Sequence, residues 1–148
     1  MGRASLICVL LMPLWGCVGL AGLAPERTAD KDPGGSVPLR VAEIAAYEAR
    51  DVEKRVSGQC LSACTMYLGL STACFEPNAV LGFHGPRLAT GGAMSERQFE
   101  ATTALMARYY PPRVATWFMA EARHGRAMIR VPASELIARG EARACPPA

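Results

Sequence analysis

The chain has no run of basic residues and no stripe in which basic and aromatic side chains alternate. Nucleic acid is held by such a footprint, and a formal charge of +3 is too small to replace it. No nucleic-acid partner is therefore expected. Internal repeats and low-complexity tracts are also absent, which excludes a repeat architecture. Cys60 and Cys64 are one residue too far apart for the redox motif Cys-x-x-Cys. Histidine is scarce, with only His84 and His124. No aspartate follows Asp51. Every side-chain carboxylate after Ser62 is therefore a glutamate.

The first segment is distinctive. Arg3 is its only charge, an apolar run extends from Leu6 to Leu23, and Ala21, Gly22 and Ala24 precede the polar stretch Pro25-Glu26-Arg27-Thr28. A basic start, an apolar middle and a small-residue exit form a secretory signal. Gly16, Gly19 and Gly22 weaken a permanent span, and the run is at the short end of the ~20 residues needed. An alternative lies in Leu14-Trp15-Gly16-Cys17, which resembles a lipoprotein box whose cysteine is acylated, although Trp15 fits that site poorly. The expected organisation is a leader over 1–24, a flexible segment over 25–33 and one domain over 34–148. Cleavage near Ala24 leaves about 124 residues, enough for one modest core. The product is expected in the periplasm or outside the cell, free of the membrane, with a lipid anchor on Cys17 as the minor alternative.

Four cysteines remain after the leader: Cys60, Cys64, Cys74 and Cys145. An even count in an exported chain predicts two disulfides, with three connectivities open. The expected pairs are Cys64–Cys74, stapling a helix to the next strand, and Cys60–Cys145, tying down the tail. A zinc site from Cys60, Cys64, Cys74 and His84 is the rival, but the close cysteine pairs of zinc modules are missing. No metal or cofactor is expected.

Asp32-Pro33-Gly34-Gly35 reads as a turn. A helix follows from about Pro38, with Val37, Val41, Ile44, Ala45 and Glu48 on one face. A short strand is placed within Asp51 to Ser57. Gly58 to Ser62 reads as a turn into a second helix, Ala63 to Leu70, which is apolar nearly all round and so buried. Asn78 to His84 reads as a strand, and Gly85 to Gly92 as a loop. Ser95 with Gln98 forms a capping box opening a helix that contains Phe99, Met106 and Tyr110. Pro111-Pro112 ends it and starts another, anchored by Val114, Trp117 and Phe118. A strand over Met128 to Val131 and a helix from Pro132 to Arg139 complete the chain. Alternating short strands and helices predict an α/β fold, a small mostly parallel sheet flanked by helices.

Ser62 enters a helix, where unpaired amides and the helix dipole favour developing negative charge. His84 ends a strand, where a sheet can aim it. Read alone, these residues are equally a helix cap and a structural histidine. Together with their neighbours they resemble something known. Asp32-Pro33-Gly34-Gly35, then Gly58-Gln59-Cys60-Leu61-Ser62-Ala63-Cys64, then Pro77-Asn78-Ala79-Val80-Leu81-Gly82-Phe83-His84 resembles the Clp protease proteolytic subunit and the wider Clp/crotonase superfamily. The nearest likeness is to small exported bacterial Clp-like proteins with Gly-Phe-His and Tyr-Pro motifs, here ending at His84 and at Tyr110-Pro111. The resemblance spans roughly residues 32 to 145.

It implies a reduced Clp/crotonase-like fold with Ser62 as nucleophile and His84 as general base. The amides of Gly35 and Ala63 would form the oxyanion hole. A peptide, or a small ester or amide, would be the substrate, and copies of the chain would assemble, with Trp117 and Phe118 as a candidate interface. The sequence departs from the family in its acid: Asp30, Asp32 and Asp51 all precede Ser62, leaving Glu121 as the best-placed carboxylate by order. It departs also in lacking strands before the Gly34-Gly35 turn. These departures support a second reading, a catalytically degenerate binding or structural module stabilised by disulfides.

Overall fold

The structure is a computed structural model that describes residues 31–92, 94–125 and 127–147. The leader expected over 1–24 and most of the segment read as flexible lie outside the described residues.

Two small sheets organise the domain. The larger one takes β1 (Lys31–Asp32), β3 (Gln59–Leu61), β5 (Val80–Phe83) and β6 (Ile129–Pro132), in that order. β1, β3 and β5 run parallel, and β6 is antiparallel to β5. The smaller sheet pairs β2 (Lys54–Val56) in parallel with β4 (Ala73–Phe75). Helices α1 (Val37–Arg50), α2 (Glu96–Ala107), α3 (Pro112–Ala120) and α4 (Ala133–Ala138) flank them. A 3-10 helix, Ser62–Gly69, runs through the interior between them. The protein is thus the mixed α/β architecture expected, with a small and mostly parallel sheet.

Local chemistry accounts for several boundaries. The Ser36 hydroxyl accepts from Leu39 N–H, and Pro38 sits in the first turn of α1, where its missing N–H is harmless. α2 opens on the expected capping box, the Ser95 and Gln98 side chains each bonding the other residue's backbone amide. Pro111 and Pro112 separate α2 from α3. The core is built from Ile44, Met66, Tyr67, Phe75, Leu81, Phe83, Met106 and Phe118, all nearly inaccessible. No helix among the described residues is long and apolar enough to cross a membrane.

Several expectations are corrected. Lys31 and Asp32, read as the end of a flexible start and the first turn residue, form a strand on β3. Residues 59–61, read as a turn, are β3 itself, the centre of the parallel sheet. The helix expected over Ala63 to Leu70 is a 3-10 helix that starts at Ser62. β4 had no sequence counterpart. Three-residue strands are too short to show alternation, so periodicity could not find them.

The disulfides are also re-paired. Cys60 bonds Cys64, and Cys74 bonds Cys145. The expected pairs Cys64–Cys74 and Cys60–Cys145 fail because β4 was not foreseen. The tail runs alongside β4, with Phe75 N–H donating to Arg143 O and Cys145 N–H donating to Phe75 O. This sets Cys145 beside Cys74, at a Cα separation of 4.7 Å. With all four sulfurs bonded in pairs, the zinc alternative has no thiolate to offer. Phe118 is fully buried, while Trp117 packs edge-on against Phe83 at 5.3 Å and stays half-buried.

Two buried phenols give the domain an alkaline limit. Tyr67 is pushed above its ordinary value of 10.0 by burial first, then by the Glu43 carboxylate, against an opposing pull from Arg40. Tyr110 is pushed up by burial, offset in part by its hydrogen bond with Thr65. Above about pH 10 the unfolded chain has released protons that the folded chain keeps, so folding stability falls as pH rises. Urea midpoints should be lower at about pH 11 than at about pH 9, with a shallower decline in Tyr110→Phe. A midpoint independent of pH over that window would contradict the burial assigned to these hydroxyls.

Candidate active site

β3 and β5 lie side by side, with Leu61 opposite Gly82. The chain leaves β3 at Ser62 and β5 at His84, so both residues emerge at the carboxyl edge of the same parallel sheet. That edge is where open α/β sheets bind ligands. The sheet register therefore sets two residues that are 22 positions apart in the sequence at one edge.

Ser62 has φ 55°, one of two non-glycine residues with positive φ among the described residues. The left-handed region costs such a residue about 1–2 kcal/mol, and strain of this kind persists only where the surroundings enforce it. The enforcement here is visible on both sides. The Cys60–Cys64 disulfide closes a small ring around Ser62, with both sulfurs buried. The Thr65 hydroxyl donates to Ser62 O at 2.7 Å. Its hydrogen is then committed, so the Tyr110 hydroxyl donates to Thr65 Oγ1 at 2.8 Å.

The glycine turn presses directly on this serine. Gly34 has φ 97°, and a Cβ there would lie 2.6 Å from Leu61 O, 2.7 Å from Ser62 Cβ and 2.9 Å from Ala63 N. Gly35 has φ 103°, and a Cβ there would meet nothing within 4 Å. The first glycine is thus the point of contact and the second borders open space. Among the described residues Gly35 N–H donates to no acceptor. Ala63 N–H belongs to the first turn of its helix, where no carbonyl of the helix can receive it. Gly34→Ala should displace the serine turn and lower stability by at least about 2 kcal/mol, from strain plus backbone overlap. A thermal midpoint equal to the wild type would refute that packing.

His84 is half-buried, and its Nδ1 lies 2.5 Å from Gly85 O. A carbonyl only accepts, so Nδ1 carries the proton and Nε2 presents a lone pair when the ring is neutral. Among the described residues no hydrogen bond joins His84 to Ser62, and no carboxylate bonds the ring. Glu121 is exposed at the end of α3, so the carboxylate suggested by sequence order is not the orienting group. The backbone carbonyl of Gly85 takes that position. His124 ends the short 3-10 helix Ala122–His124, where its Nε2 accepts from Arg123 Nε at 3.0 Å.

A cleft of about 540 Å³ begins at Gly85, immediately beyond His84, and is lined further by Arg87, Phe99, Arg123 and His124. Arg123 is fixed there by Glu100 at 2.7 Å and by Thr103 at 3.1 Å.

Sequence reading missed the group that holds the glycine turn. Arg40 is buried, with Nη2 on both carboxylate oxygens of Asp32 at 2.9 and 2.7 Å. Nη2 also donates to Gly34 O at 3.2 Å, while Nη1 reaches Glu43 at 2.8 Å and the Tyr67 hydroxyl. Asp32, read only as a turn residue, accepts Gly34 N–H at 2.8 Å. One signal was present in the sequence. Val37, Arg40 and Ile44 are the buried residues of α1, so a cation stands in the 3–4 spacing of its apolar stripe. Set against known proteins, the chain matches no family model and no curated protein sequence.

Proposed function

We propose that this protein is an exported serine hydrolase of the Clp-protease-like type, cleaving an amide or ester through an acyl-enzyme on Ser62. The observation that carries this reading is the strained Ser62, held at the sheet edge against the Gly34-Gly35 turn beside a free amide. A serine placed on a sharp strand-to-helix turn projects its hydroxyl from the fold, as nucleophiles require. Nε2 of His84 would take the Ser62 proton as Oγ attacks the substrate carbonyl. The Gly35 and Ala63 amides would receive the oxyanion, and the His84 imidazolium would then protonate the leaving group. Water admitted to the same base would release the acyl group. Gly85 O keeps Nδ1–H fixed throughout and so replaces the missing acid as orienting group. No cofactor enters these steps.

Export is supported by the leader pattern of residues 1–24 and by the two disulfides, which persist in oxidising compartments. Labelling with a fluorophosphonate, followed by peptide mapping, tests the hydrolase reading. A label on Ser62 is expected. Well-folded protein that takes no label would overturn it.

One observation favours a second reading, a non-catalytic module with the same fold. Ser62 and His84 share no hydrogen bond among the described residues. In that case Ser62→Ala would leave the biological role intact and labelling would be absent.

A further inference from the structure

We propose that Arg40 and Thr65 are positioning residues that aim the two oxyanion-hole amides, each by gripping the carbonyl of the same peptide unit. The inference rests on the hydrolase reading and extends it to residues that do not touch the substrate.

The argument starts from the peptide bond. In a trans peptide the C=O and the following N–H are coplanar and point in opposite directions. No cis bond occurs among the described residues. Whatever holds a carbonyl therefore aims the next amide the opposite way. Gly34 O is held by Arg40 Nη2 at 3.2 Å, so Gly35 N–H points away from Arg40. Ser62 O is held by the Thr65 hydroxyl at 2.7 Å, so Ala63 N–H points away from Thr65. Both amides named for the oxyanion hole thus have a peptide partner gripped by a buried side chain.

Both peptides need such a grip. Gly34 and Gly35 have φ 97° and 103°, and glycine crosses readily between backbone regions, so this peptide can turn over unless held. Ser62 sits in a region that an L-residue leaves when constraint is lifted. An amide that turns over takes its hydrogen away from the developing oxyanion.

The grips are themselves braced. Arg40 is fixed by both Asp32 oxygens, by Glu43 and by the Tyr67 hydroxyl, and its guanidinium lies 4.4 Å from the centre of the Tyr67 ring. Tyr67 belongs to the helix that Ser62 opens, so one cation ties the glycine turn to the serine helix. Stability alone is a weak reason to bury a cation, and this one leaves its Nε without a partner among the described residues. On the other side, Tyr110 donates to Thr65 and locks its hydroxyl toward Ser62 O.

Inactivation by a fluorophosphonate, resolved into kinact and KI, tests the proposal. Thr65→Val is nearly isosteric and deletes the side-chain grip on Ser62 O. It should lower kinact by about 10²-fold, the usual effect of losing one oxyanion donor, with KI little changed. Thr65→Ser restores the hydroxyl and should restore kinact, a rescue that a packing role for the methyl group would not give. Arg40→Met should lower kinact similarly. If Arg40→Met does not fold with both disulfides intact, Arg40→Lys serves instead, because one ammonium cannot hold Asp32, Gly34 O and Glu43 together. Equal kinact in Thr65→Val and Thr65→Ser, or wild-type kinact in a folded Arg40 variant, overturns the proposal. Wild-type protein that never reacts overturns the hydrolase reading instead. Peptide orientation is then read from the Gly35 and Ala63 amide resonances. Movement of Gly35 in the Arg40 variant and of Ala63 in Thr65→Val supports the grips, and unmoved resonances sink them.

Discussion

Fluorophosphonate labelling should vanish in Ser62→Ala and slow by about 10³–10⁴-fold in His84→Ala, with both variants folded. The first effect follows from removal of the reacting oxygen. The second follows from loss of the base, since a serine hydroxyl is a weak nucleophile until its proton is taken. His84 has the tautomer for this task because Gly85 O claims Nδ1–H and leaves Nε2 bare. A carbonyl orients the ring but carries no full charge with which to stabilise the imidazolium. The acid of a triad does both, fixing the tautomer and stabilising the imidazolium. The wild-type protein is therefore expected to react more slowly than an enzyme with a complete triad, and His84→Ala is compared with that lower rate. Labelling of His84→Ala at the wild-type rate would remove His84 from the mechanism.

Removal of the Cys74–Cys145 bond should produce the largest loss of stability. The bond spans 71 residues, and closing a loop of that length restricts the unfolded chain by about 4 kcal/mol. Domains of this size hold about 5–15 kcal/mol in total. It also pins the tail that pairs with β4 through the Phe75 and Cys145 amides. A Cys74→Ala/Cys145→Ala double variant should melt far below the wild type or fail to fold. The Cys60–Cys64 bond spans only 4 residues, worth about 2 kcal/mol by the same reasoning. Its removal should harm stability less and reactivity more, because it brackets the strained serine. Equal midpoints for the two double variants, by denaturant titration under non-reducing conditions, would contradict this division.

The contrast between these bonds shows where sequence reading stopped. Cysteine count and the expected export signal were enough to expect two disulfides. Pairing depended on β4, and Ala73-Cys74-Phe75 is buried at every position with no alternation to mark it as a strand. β3 was likewise read as a turn, since a glycine precedes it and a polar residue opens it. The starts of the longer helices were legible because caps and prolines mark them, as Pro38, Ser95 and Pro112 do. At the site, Ser62, His84, Gly35 and Ala63 were named from their motifs, while Arg40 and Thr65 were not. Their importance lies in which carbonyl each one grips, and no local pattern carries that.

By itself, the sequence determined the mixed α/β class, the starts of the longer helices, and the few groups through which chemistry could pass. These follow from short-range physics: caps, prolines, apolar spacing and the scarcity of histidine and aspartate. Only the tertiary structure decided that Ser62 and His84 leave adjacent parallel strands at one edge, that Gly34 abuts the serine turn, and which cysteines pair. It also replaced the expected carboxylate with the Gly85 carbonyl. Each of these depends on register between segments far apart in the chain. Register is set by the packing of all of them together, and three-residue strands have too few side chains to announce it.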